Sequence, residues 1–150
     1  MKKVFNNQDF FDTIIDVLNH EESVSFFVKG SSMNPFFLNQ QTEVFIRTKP
    51  FYQPKDVCLF KYGQKVLLHR LIRIKNGMYF FRGDHLYTYE KVEKEAILGY
   101  VYQMKTNEKM TRSIQVGYRL KVNLYLFYKK CKMIIRYIYR GVRYGCRKKR

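Results

Sequence analysis

A chain of 150 residues that is 46% hydrophobic and 17% aromatic holds enough apolar material for one packed domain with extensions. Its formal net charge of +17 is uneven: residues 109–150 carry 14 Lys and Arg and no Asp or Glu, which leaves +3 for the first 108. Cys58, Cys131 and Cys146 form no CxxC pair and keep no metal-ligand spacing with His20, His69 or His85, so neither a metal site nor a disulfide framework is expected, and no cofactor is called for.

Met1-Lys2-Lys3 is followed by Asn6, Asn7, Gln8, Asp9 and Asp12 where a secretory signal needs a continuous apolar region, so no signal peptide is expected. Residues 8–19 set Phe10, Phe11, Ile14, Ile15 and Leu18 at helical spacing, with Asp9, Asp12 and Asp16 for the other face, which predicts a short amphipathic helix. Apolar, β-branched and aromatic runs at 24–28, 44–47, 57–61, 66–74, 78–82 and 97–104 read as strands. Turns are expected at Tyr62-Gly63-Gln64 and, with the strongest short hairpin signal in the chain, at Asn76-Gly77. Pro50 and Pro54 mark an irregular segment at a sheet edge or in a loop. Together these predict a mainly β, antiparallel core over 23–108, preceded by a helical extension over 1–22. Over 109–150, Leu120, Leu124, Phe127, Cys131, Ile134, Ile138 and Val142 recur every three or four residues with Lys and Arg largely between them, which predicts a basic amphipathic helix over 118–143. A bilayer-spanning helix needs about 20 mostly apolar residues. The greasiest stretch, Val122 to Tyr128, is bracketed by Lys121 and Lys129, so the expected location is cytoplasmic or peripheral to a membrane.

Chemistry concentrates in Gly30-Ser31-Ser32-Met33-Asn34-Pro35. A serine hydroxyl is a weak nucleophile until it stands at an exposed turn beside a base, and Gly30 and Pro35 punctuate such a turn around Ser32. His69, in the strand pattern Val66-Leu67-Leu68-His69-Arg70-Leu71-Ile72, is the side-chain type best matched to proton transfer near neutrality. Lys65 shares the His69 face of that strand but stands about 13 Å away along it, too far to serve the same hydroxyl, and Arg70 stays protonated.

Gly30-Ser31-Ser32-Met33-Asn34-Pro35, Leu68-His69-Arg70-Leu71 and Arg82-Gly83-Asp84-His85 resemble, in order and spacing, the three signature boxes of the superfamily that joins type I signal peptidases and self-cleaving repressors. The resemblance covers about residues 24–104. It implies that superfamily's antiparallel β-fold and a serine endopeptidase that removes signal or leader peptides after small residues. It makes Ser32 the nucleophile and His69 the general base. Histidine at the base position is similar to the endoplasmic-reticulum, archaeal and spore-former branch, where most bacterial signal peptidases and the repressors have lysine. Met33 and Pro35 match residues that shape the nucleophile turn, and Asp84 matches the acid of the Gly-Asp box. The histidine branch commonly has a second acid six positions on, which is Glu90 here, and which of the two acids orients His69 stays open. Signal peptidases usually carry a serine at the position of Gly30, so the oxyanion hole falls to the backbone N–H of Ser32 and Ser31. His85 and Leu86 stand where the box usually continues with asparagines.

The implied partner is a peptide or precursor protein. For the tail, an anionic membrane surface, simple packing on the β core, and nucleic acid are the alternatives. Nucleic acid is the least favoured, because a self-cleaving repressor needs a DNA-binding domain that 31 residues before Ser32 do not hold, and no Ala-Gly or Cys-Gly self-cleavage dipeptide lies upstream. A binding protein descended from a peptidase is the remaining class.

Overall fold

The computed structural model describes residues 7–20 and 23–147, with side chains for 13–18, 20 and 23–139. Met1-Lys2-Lys3, Asn6, the side chains of Asp9, Phe10, Phe11 and Asp12, those of Val142 and Cys146, and the final basic run therefore lie outside the described residues. The chain divides into two units between Ser113 and Ile114.

The first unit is one curled antiparallel sheet with a short helix, α1 (Asn7–His20). Its strands are β1 (Val24–Phe27), β2 (Thr42–Arg47), β3 (Val57–Tyr62), β4 (Lys65–Lys75), β5 (Met78–Arg82), β6 (Glu90–Val92), β7 (Ile97–Thr106) and β8 (Lys109–Arg112). The order across the sheet is β1-β2-β7-β3-β4-β5-β6, with β8 paired to the far half of β7. All six predicted strands are present, and the Gly63-Gln64 and Asn76-Gly77 turns close the β3–β4 and β4–β5 hairpins. β6 and β8 were not predicted: Glu90-Lys91-Val92 and Lys109-Met110-Thr111-Arg112 are short, and neither holds an apolar run. β8 also moves a boundary, since Lys109–Arg112, assigned by charge to the tail, completes the sheet.

The core is built on the central strands, where β3 buries Val57 through Phe60 in succession and β4 buries His69 through Leu71. Phe60, Leu71 and Phe81 are fully buried in one cluster with Cys58, Tyr52, Val92, Ile97 and Tyr100, and the rings of Phe60 and Phe81 stack at 4.2 Å. Burying side chains of this size contributes about 1.5–3 kcal/mol each. Burial also pushes the Cys58 thiol well above its ordinary pKa, which makes it a poor nucleophile. α1 lies against β1 and β7 and buries Ile14 and Leu18.

The second unit is the helix α2 (Val116–Arg147), longer at both ends than the sequence pattern predicted. Among the described residues no helix is long and apolar enough to cross a membrane.

Candidate active site

Ser32 lies in the connection from β1 to β2. That loop is cinched at its base, where the Val28 N–H donates to the Thr42 carbonyl and the Gln40 N–H to that of Val28. Inside it, the Asn34 N–H donates to the Ser31 carbonyl, and those of Phe36 and Phe37 to the Met33 carbonyl, so residues 31–37 coil tightly. Gly30 enters this coil at φ +98°, a conformation that side chains resist, and its N–H donates to Asn39 Oδ1 at 2.8 Å. Met33 and Phe37 are buried and pin the coil to the core, while Pro35 is exposed. Ser32 itself is half-buried.

The curl of the sheet brings β4 toward β1. A cavity of about 290 Å³ is lined by Phe26–Lys29, Ser32, Met33, Leu59 and Val66–His69. Ser32 and His69, 37 positions apart in the chain, thus share one cavity with largely apolar walls. Lys65 is exposed and is not part of this lining. Lys29, which the motifs did not single out, is.

His69 is 4% exposed and sits edge-on to Phe60. Its Nδ1 lies 3.0 Å from Oε2 of Glu90 on β6. The register explains the meeting: Leu71, two residues along the His69 face of β4, pairs with Phe81, which pairs with Glu90. A bulge that leaves Ile72 unpaired between Leu71 and Arg73 lies beside this pair. A carboxylate only accepts, so the ring presents its Nδ1–H to Glu90, and Nε2 is the nitrogen left to exchange a proton.

Asp84 does not meet His69. Its two carboxylate oxygens accept from Arg70 Nε at 2.8 Å and Nη2 at 2.6 Å, a bidentate pair buried to within 1%. Arg70 Nη1 also donates to the Lys55 carbonyl at 3.0 Å, and its guanidinium lies 5.2 Å from the centre of the Phe36 ring. The pair therefore braces the coil that carries Ser32. The next residues tie the same coil directly, because the His85 N–H donates to the Ser32 carbonyl at 2.8 Å. Gly83 packs so closely that a Cβ would lie 2.7 Å from that carbonyl oxygen. The side chain of His85 is exposed, and its main chain is what serves the site.

From the sequence, Arg70 was a member of Leu68-His69-Arg70-Leu71 and a group that stays protonated, with no partner assigned to it. Its place in the middle of an apolar strand was nonetheless a signal, since a buried guanidinium requires a carboxylate partner. The carbonyls of Ser31 and Ser32 are both engaged, whereas among the described residues no acceptor takes the N–H of either, and these two groups can serve as oxyanion donors. The Gly30 N–H is committed to Asn39, which leaves Gly30 the role of shaping the turn. Among the described residues no cluster of His, Cys, Asp and Glu has the arrangement of a metal site.

A scan against protein-family models matches none of them, and a search of curated proteins finds no match either.

Proposed function

We propose that this chain is a serine endopeptidase of signal-peptidase type, acting through Ser32 and His69 with Glu90 behind the base. The observation that carries the reading is the shared cavity: Ser32 and His69 line it together, and the histidine's other nitrogen is held by a buried carboxylate. The order of the three motifs and their resemblance to signal peptidases supports the same assignment.

In this scheme His69 Nε2 removes the Ser32 hydroxyl proton as Oγ attacks the carbonyl carbon of the scissile bond. Glu90 holds the ring in the tautomer that makes Nε2 the acceptor and stabilises the imidazolium that forms. The oxyanion takes hydrogen bonds from the N–H groups of Ser31 and Ser32. His69 then returns its proton to the leaving amine, and water, activated by the same nitrogen, releases the acyl group from Ser32. The cavity walls, Phe26, Val28, Met33 and Leu68 among them, suit an extended segment with small apolar side chains beside the cleaved bond. Such a substrate is a signal or leader peptide.

The test is cleavage of a peptide mixture derived from a whole proteome, read by mass spectrometry. Wild type and Lys65→Ala should cleave the same peptides after small residues. Ser32→Ala should fall by roughly 10⁴-fold or more with unchanged thermal unfolding, and His69→Ala should fall as far while also losing stability, because it leaves the buried Glu90 carboxylate without its partner. Cleavage by Ser32→Ala at the wild-type rate would refute the proposal.

A further inference from the structure

Helix α2 carries an apolar face that nothing in the chain's chemistry explains as core. Leu120, Leu124, Phe127, Ile134, Ile135 and Ile138 are each 50–68% exposed. At 100° per residue they fall within an arc of about 100°, and from Leu120 to Ile138 the stripe runs about 28 Å. Exposed single hydrophobic residues are ordinary, but an aligned stripe of this length marks a surface meant for contact. Exposed lysines border it, Lys121 and Lys132 on one side and Lys130 on the other. No acidic residue occurs anywhere in residues 109–150.

We propose that α2 lies in the plane of an anionic lipid surface, with this stripe among the acyl chains and the bordering lysines on the headgroups. Charge complementarity selects that occupant. A second copy of the helix would bury the stripe but set the lysines of one copy beside those of the other, with no acid in either segment to pair them. Nucleic acid would satisfy the lysines and leave five aliphatic side chains and Phe127 in water. An anionic bilayer surface accommodates both halves of the pattern. α2 is not apolar enough to cross, which fits a helix that rests in the interface.

The experiment uses the full chain. Flotation with vesicles of phosphatidylcholine alone is compared with vesicles in which about a third of the lipid is phosphatidylglycerol. The protein contains no tryptophan, so Phe127→Trp installs a single reporter whose emission should shift to the blue with the anionic vesicles. Replacing the three lysines together (K121Q, K130Q and K132Q) should weaken binding on the order of a hundredfold. The pair L124S and I135S should weaken it more than tenfold. Four results would overturn the proposal: no binding; equal binding to neutral and anionic vesicles; binding indifferent to L124S with I135S; or a dimer in light scattering that the same two substitutions dissolve. Ser32→Ala should bind vesicles as wild type does, so this surface and the peptidase assignment stand or fall separately.

Discussion

His69 and Arg70 are consecutive residues of β4, both buried and both paired with a carboxylate, yet they point to opposite faces and are held in different ways. Glu90 occupies one nitrogen of His69 and leaves the other for the cavity it lines. Arg70 is spent on structure: Asp84 takes two of its donors, the Lys55 carbonyl a third, and the Phe36 ring covers its guanidinium. Burial and charge pairing therefore do not by themselves mark a reacting group. What distinguishes the two is whether the pairing leaves an atom that can exchange a proton with something in the cavity.

The largest effect that separates the two pairs is on turnover. Glu90→Gln keeps the side chain's shape but removes the charge that fixes the His69 tautomer, and kcat should fall by about 10³–10⁴-fold with the unfolding midpoint little changed. If instead Asp84→Asn, with the fold intact, lost more turnover than Glu90→Gln, the two acids would have to exchange roles.

The next effect is on stability and runs the other way. Asp84→Ala strands a fully buried guanidinium, a change that costs about 3–5 kcal/mol. Urea unfolding should show that loss, and Glu90→Ala should show clearly less, because a neutral imidazole can remain buried where a guanidinium cannot. Equal losses in the two variants would erase the distinction between a framework pair and a working pair.

A smaller cost is expected at Gly83. A Cβ there would meet the Ser32 carbonyl oxygen at 2.7 Å, so Gly83→Ala must push the nucleophile coil away, for about 1–3 kcal/mol. The displaced atom belongs to Ser32, the proposed nucleophile. Turnover should therefore drop further than the stability loss alone explains, and a KM held constant while kcat falls would show misalignment rather than lost binding.

How much of this was legible in the sequence differs along the chain. The strands from Val24 to Arg82 were legible as runs of apolar, β-branched and aromatic residues, and their hairpin turns by Gly and Asn. Ser32, His69, Asp84 and Glu90 could be named as a set, but which acid meets His69 could not. That depends on the pairing of β5 with β6, and β6 has only three residues, with a bulge in the neighbouring strand. Local pattern carries no information about such a register. Arg70 illustrates the converse: its burial in an apolar strand required a partner, and the chain's scarcity of acids left few choices, yet only the fold shows that the partnership braces Phe36 and the Ser32 coil.

The face of β4 that holds His69 also rests on a cluster in which Tyr52 and Cys58 resist ionisation, and this gives the smallest of the expected effects. Burial, with the Cys58 thiol nearby as a lesser cause, pushes Tyr52 from an ordinary value of 10.0 to about 12. A group whose pKa is raised on folding favours the folded state fully below its unfolded value, and that contribution disappears as the pH climbs through its folded value. The protein should therefore lose stability between about pH 10 and about 12 as the unfolded chain ionises first. Tyr52→Phe should cost about 1 kcal/mol or less at neutral pH, where the hydroxyl's interaction with the Lys49 backbone is lost. Across the alkaline window the variant should lose stability less steeply than wild type, so the two curves of urea midpoint against pH converge. Parallel curves would mean that Tyr52 ionises equally easily in both states, and that the cluster behind His69 is wetter than its burial implies.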